Sequence, residues 1–189
     1  MTDPHPSVRP LRPAVFFDRD GTLMEEVHYC SDPAKVAAMP GAAEALGRAH
    51  ARGFLNVIIT NQSGIGRGYF TEEQFQLVQA ELLRQFGDGA IDATYFCPDH
   101  PDQPSARRKP APGMVQEAAT DLGIDLARSF FIGDMATDIE CGRNAGTRTV
   151  LVATGYGQRD TATVADFRAR DVVEAIDWVL AQTPASVPH

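Results

Sequence analysis

The sequence is poor in several features that would commit it to a class. It holds three cysteines in 189 residues, at Cys30, Cys97 and Cys141. An odd, widely spaced set builds no disulfide framework and points to a reducing, cytoplasmic setting. No stretch approaches the ~18 consecutive apolar residues of a membrane-spanning helix, so the reading includes no membrane. Positive charge is scarce: 17 Lys and Arg face 25 Asp and Glu, a net charge of −8. A nucleic-acid partner needs clustered Lys and Arg and is not expected. Any anionic ligand must instead be met by a few locally concentrated cations. Internal repeats and low-complexity blocks are also missing.

Residues 1–13 carry Pro4, Pro6, Pro10 and Pro13 without an apolar core, and read as a loose leader, not a signal peptide. Residues 183–189 read as a frayed tail, leaving 14–182 as a single domain. A monomer is expected.

What is present is an alternation of strand and helix patterns. Ala14-Val15-Phe16-Phe17 is a short, wholly apolar run suited to a buried strand. Gly41 to Arg52 has a helical pattern, and Phe54 to Ile59 is a second apolar run. Thr71-Glu72-Glu73-Gln74 forms a capping box. Phe75, Val78, Leu82, Leu83 and Phe86 give the helix that follows one buried face. Further strands are predicted at Ala93–Cys97, Phe130–Ile132 and Thr149–Ala153, with an edge piece at Ala165–Phe167. Pro112 to Leu122 reads as a helix stopped by Gly123, and Val172 to Leu180 as a closing amphipathic helix. Strands alternating with helices predict an α/β, Rossmann-like three-layer sandwich around a mainly parallel sheet. The spacing leaves no room for a separate cap domain.

Polar residues fall at the predicted strand ends, where open α/β sheets place their chemistry. The first run stops at Asp18, with Asp20 two residues on and a Gly21-Thr22 turn behind. Two carboxylates so close repel each other unless a cation or a proton intervenes. The second strand ends in Thr60-Asn61, and a later one in Gly133-Asp134 with Asp138 four residues further. Arg107-Arg108-Lys109-Pro110 sets cations just before a helix. Singly each has an ordinary explanation: Thr60 as a strand cap, Lys109 as a solvated lysine, Asp138 as a helix N-terminal charge. Together, two carboxylates, a hydroxyl, a lysine and a second acidic pair form a set suited to phosphoryl transfer.

That ordered set resembles the haloacid dehalogenase superfamily of phosphohydrolases over residues 14 to 155. Asp18-Arg19-Asp20-Gly21-Thr22, Thr60-Asn61-Gln62-Ser63-Gly64, Lys109, and Gly133-Asp134 through Asp138 are similar to its four motifs. The longer runs Thr60 to Gly68, Cys97-Pro98-Asp99-His100-Pro101 and Arg108 to Met114 resemble one branch of it. That branch contains the D-glycero-D-manno-heptose 1,7-bisphosphate 7-phosphatases and the histidinol-phosphate phosphatases. The resemblance implies hydrolysis of a small phosphorylated sugar through an aspartyl phosphate on Asp18, with Asp20 as acid and base. It implies Mg²⁺ held by Asp18, the Asp20 carbonyl and Asp134. Thr60 and Lys109 would hold the transferring oxygens. Asp138 would orient Lys109 or a metal-bound water. Glu26, His28, Tyr29 and Arg108 would contact substrate, along with Asn61, Gln62 and Ser63. His28 is read equally well as a surface loop histidine.

Many members of this branch also bind a structural zinc through Cys-x-His and Cys-x-Cys. The corresponding positions here are Cys97, Asp99, Ser105 and Arg107, which keep one ligand of four, so no zinc is expected. Heptose bisphosphate is the favoured substrate, with histidinol phosphate or another small sugar phosphate as the alternative. A phospho-accepting receiver module also uses a strand-end aspartate, a threonine and a lysine. It lacks an acid/base aspartate two residues after the nucleophile, and the late Gly133-Asp134 to Asp138 run favours the hydrolase.

Overall fold

A computed structural model describes residues 10–182. Six parallel strands form one sheet: β1 (Ala14–Phe17), β2 (Leu55–Asn61), β3 (Ala93–Cys97), β4 (Phe130–Gly133), β5 (Arg148–Val152) and β6 (Phe167–Ala169). Their order is β3-β2-β1-β4-β5-β6, with every pair parallel. The helices are α1 (Ala42–Ala51), α2 (Ser63–Gly66), α3 (Glu72–Phe86), α4 (Gly113–Leu122), α5 (Ala136–Ala145) and α6 (Val172–Ala181).

The period of two in the strands sorts the core into two layers. Val15 and Phe17 of β1 pack with Leu46 of α1, Leu82 of α3 and Ile176 of α6. Ala14 and Phe16 of the same strand pack on the opposite face with Val115 of α4 and Cys141 of α5. Both faces of β1 are covered, so all four of its residues must be apolar. The result is the expected three-layer sandwich, and among the described residues no separate cap domain stands over the sheet.

The capping box at Thr71 forms as predicted, the hydroxyl accepting from the Gln74 N–H and the Gln74 amide oxygen from the Thr71 N–H. The edge strand lies two residues later than expected. Asp166 turns its carboxylate onto the Thr149 N–H (2.7 Å) and hydroxyl (3.0 Å), so strand pairing begins only at Phe167. The Phe167 ring then stacks on Trp178 of α6 at 5.0 Å. The single turn of α2 was not foreseen.

Of the expected leader, residues 1–9 lie outside those described, as does the tail 183–189. Leu11 to Pro13 are tied down and do not behave as a loose leader. The Arg12 N–H donates to Gly123 O at 3.0 Å, and Pro13 O accepts from Leu55 N at 3.0 Å.

β1 and β4 are neighbours, and from them the chain winds outward in opposite directions. This switch point opens a crevice at the C-terminal ends of the strands, where ligands bind in such sheets. Asp18 follows β1 and Asp134 follows β4, so the two carboxylates meet there.

Candidate active site

Asp18, Thr60, Lys109 and Asp138 converge in a cleft of about 330 Å³, together with Asp20, Glu26, His28, Tyr29, Asn61, Gln62, Ser63 and Arg108. At its floor the Lys109 ammonium donates to Asp18 Oδ1 (2.5 Å) and to the Ile59 carbonyl (2.9 Å). It also contacts Asp138 Oδ1 at 2.6 Å. Burial works against a charged amine here, yet Asp138 and Asp18 hold the lysine above its ordinary value. Asp138, with its second oxygen, accepts from the Met135 N–H at 3.0 Å. Asp138 thus contacts Lys109, one of the two groups it is expected to orient.

Lys109 is placed by Asn61. The Asn61 amide oxygen accepts from the Lys109 N–H (3.0 Å), and its NH₂ donates to the Lys109 carbonyl (3.1 Å). Asn61 therefore lines the cleft but has both amide atoms engaged with the chain, and it positions the lysine more directly than it reads a substrate. Gln62 is similarly occupied, donating to Thr60 Oγ1 (2.8 Å) and Asp20 Oδ2 (3.0 Å).

Arg19 is not among the site residues expected from the sequence. It is 1% exposed and grips Asp20 with two parallel hydrogen bonds of 3.0 Å, while its guanidinium lies 5.1 Å from the centre of the Phe75 ring. Such a fork fixes the direction of a carboxyl group as well as its position. Its place between two aspartates was the available signal.

Asp18, Asp134 and Asp138 each offer an oxygen within 4.8 Å of the others. Burial pushes Asp18 well above its ordinary value against the pull of Lys109, and Asp138 and Asp134 add to the rise. Burial, then Asp138, raises Asp134 to about 7, while the Tyr156 N–H pulls it back. Asp134 Oδ1 is buried without a hydrogen-bond partner. An all-oxygen donor set, crowded negative charge and an orphaned carboxylate oxygen fit a hard divalent cation such as Mg²⁺.

The sign of a pH effect follows. Between the ordinary 3.8 and about 7 the folded Asp134 keeps a proton that the unfolded chain has lost, so metal-free stability falls as pH rises through that window. A cation must displace the same proton. Magnesium affinity, measured by calorimetry, is expected to strengthen as pH rises toward about 7. A flat profile from pH 5 to 8 would remove Asp134 from the ligand set.

The loop bearing Arg108 is held differently from the zinc pattern. Cys97 Sγ donates to Asp99 Oδ2 at 3.3 Å and lies 3.7 Å from Ser105 Oγ. Ser105 Oγ accepts from the N–H groups of Arg107 and Arg108, both at 3.2 Å. Arg107 reaches the Phe96 carbonyl and Glu117, each at 3.3 Å. Burial pushes the Cys97 thiol up, which opposes the thiolate that zinc requires. One thiol, two oxygens and a guanidinium do not fit a tetrahedral zinc. Arg108 Nη1 is buried with no hydrogen-bond partner.

Residues 106–179 match a family model described as HAD-hydrolase-like. A D-glycero-D-manno-heptose-1,7-bisphosphate 7-phosphatase from Thermosynechococcus vestitus is 37% identical over 187 residues, spanning 89% of this chain and 95% of that protein. The D-glycero-alpha-D-manno-heptose-1,7-bisphosphate 7-phosphatase of Burkholderia mallei is 36% identical over 180 residues, with 90% and 95% covered. Among solved structures, D,D-heptose 1,7-bisphosphate phosphatase from B. bronchiseptica, complexed with magnesium and phosphate, superimposes with a TM-score of 0.82. It is 28% identical, with 90% of this chain and 99% of that one covered.

Proposed function

Because the chain belongs to the haloacid dehalogenase-like phosphatases, in the branch of the heptose 1,7-bisphosphate 7-phosphatases, we propose that it removes the C7 phosphate of D-glycero-D-manno-heptose 1,7-bisphosphate. The observation that carries this reading is the buried Asp18–Lys109–Asp138 cluster at the switch point, beside an Asp134 oxygen without a partner. Asp18, the Asp20 carbonyl and Asp134 would hold magnesium. When bound, the cation supplies positive charge that lets two anions approach each other.

The Asp18 carboxylate attacks phosphorus as the bond from phosphorus to the C7 oxygen breaks. Asp20, steadied by Arg19 and Gln62, gives that oxygen a proton, a step worth ~10²–10⁴-fold. Water then attacks the aspartyl phosphate, Asp20 takes its proton, and inorganic phosphate leaves with Asp18 restored. Lys109 and Thr60 bind the equatorial oxygens, whose charge is spread in the transition state. Arg108, with its unpartnered nitrogen, meets the phosphate left on C1 through its fork. Glu26, His28, Tyr29 and Ser63 line the cleft around the sugar.

On this reading the Cys97 loop works without zinc, and the chain is a single-domain cytoplasmic monomer. No helix among the described residues is long and apolar enough to cross a membrane. Relatives are named for both the alpha and the beta sugar, so both anomers belong in the test. Phosphate release should be compared for the two heptose bisphosphates, histidinol phosphate and simple hexose phosphates. A kcat/KM for one heptose anomer at least ~10²-fold above the rest is expected from contacts to a second phosphate. Similar modest rates on all of them would defeat the assignment, and a preference for histidinol phosphate would replace it.

A further inference from the structure

One wall of the cleft comes from the segment after β5, to which the sequence motifs assign no role. Thr154 to Gln158 folds back over the Asp18–Thr22 turn. The Thr154 hydroxyl donates to the Gly21 carbonyl at 2.6 Å, and the Tyr156 N–H donates to Asp134 Oδ2 at 2.7 Å. Gly155 has φ 51° and Gly21 φ 82°. A Cβ on either would collide with the Asp134 carboxylate, so both must be glycine for the loop to close on the turn. With its backbone so fastened, Tyr156 lines the cleft with a side chain that is 50% exposed.

The surroundings of that ring are specific. Glu26, Tyr29 and Asp20 line the same cleft as its ring. His28 and Tyr29 also line the cleft, their ring centres 4.3 Å apart, and Tyr69 packs edge-on against Tyr29 at 4.7 Å. Tyr29 holds φ 52°, a backbone region that costs a non-glycine residue ~1 kcal/mol or more. A chain that keeps an aromatic side chain at such a cost, at the lip of a catalytic cleft, points to use of that ring.

We propose that Tyr156 is a specificity-determining residue that packs its ring against the carbon face of a polyhydroxylated phosphomonoester, with Glu26 taking the adjacent hydroxyls. The inference rests on the sugar-phosphate reading given above. An apolar ring with a polar tip suits a ligand whose ring carbons are apolar and whose rim is hydroxylated. Inorganic phosphate, confined to the floor beside Asp18 and Lys109, has nothing to offer that ring.

The test pairs Tyr156→Ala with Tyr156→Phe in magnesium buffer. It measures kcat and KM on the preferred sugar phosphate, the inhibition constant of inorganic phosphate, and the magnesium half-saturation. For the alanine variant KM should rise about tenfold, with kcat changing far less, because binding shared by ground and transition states is lost. The phenylalanine variant should recover most of that loss through its ring. The phosphate and magnesium constants should stay within about twofold, since the backbone N–H to Asp134 survives both substitutions. An unchanged KM would overturn the proposal. So would a phosphate or magnesium constant that rises in step with KM, since that marks a loop that only shapes the metal site. If the wild-type protein hydrolyses phosphomonoesters but no sugar phosphate, the underlying reading fails first, visibly and before any variant is compared.

Discussion

Asp18→Asn is expected to lower phosphate release by at least ~10⁴-fold, the scale on which enzymes lose turnover when a covalent nucleophile is removed. The amide has nearly the shape of the carboxylate but carries no charge with which to attack phosphorus. Lys109 keeps Asp138 and the Ile59 carbonyl as partners, so the floor of the cleft stays assembled. Stability should not suffer. Burial already pushes Asp18 well above its ordinary value, which means that ionising it costs free energy that an amide does not require. The metal-free variant should therefore melt at or above the wild-type temperature, while the rise in melting temperature on adding magnesium shrinks for want of one ligand. Wild-type turnover in this variant would remove Asp18 from the nucleophile's place. A collapse of the metal-free fold would show that the carboxylate is structural instead.

Much of this arrangement is legible in the sequence because each strand is short, buried and followed at once by its functional residue. Ala14 to Phe17 can only be a strand covered on both faces, and it must end at Asp18, since a bare carboxylate cannot continue into either apolar layer. The same holds where β4 ends at Gly133 and Asp134 follows. Contacts across the sheet are less legible. Lys109 meets Asp18 over a sequence separation of 91 residues, and no local pattern states that a lysine after two arginines turns inward. The part that Asn61 plays as a clamp on the Lys109 backbone is equally hidden, because its amide could serve substrate, chain or water. The sequence sets the edge strand at Ala165–Phe167, two residues early, because it does not show that the Thr149 N–H donates to the Asp166 carboxylate and delays strand pairing to Phe167. The place of Tyr156 is hidden in the sequence for a similar reason. A Thr-Gly-Tyr-Gly run after a strand reads as a turn until the closeness of Gly155 to Asp134 is seen.

Lys109→Met tests the other half of the floor, with effects of two kinds. Loss of a positioned cation aimed at the transferring oxygens should lower kcat by ~10²–10³-fold. The second effect is on stability, because the lysine compensates Asp18 and Asp138 in a site where it is itself 3% exposed. Removing one partner of a buried ion pair costs about 3–5 kcal/mol when the other stays charged, but Asp18 has a second option, which is to keep a proton. Asp18 and Asp134 already hold theirs above the ordinary value, and without the lysine's pull the folded state binds protons more firmly still. Folded carboxyls with raised pKa make stability fall as pH rises, since the unfolded chain releases those protons near pH 4. The deficit in melting temperature relative to wild type should accordingly be small at pH 5 and large at pH 8. Magnesium at pH 8 should recover part of it by supplying the missing positive charge. Thermal melts of both proteins at the two pH values, with chelator and with magnesium, measure all of this at once. A deficit that is equal at pH 5 and pH 8 would mean that Lys109 contributes packing and not charge. A deficit that magnesium leaves untouched would mean that the carboxylates at the switch point do not share a cation.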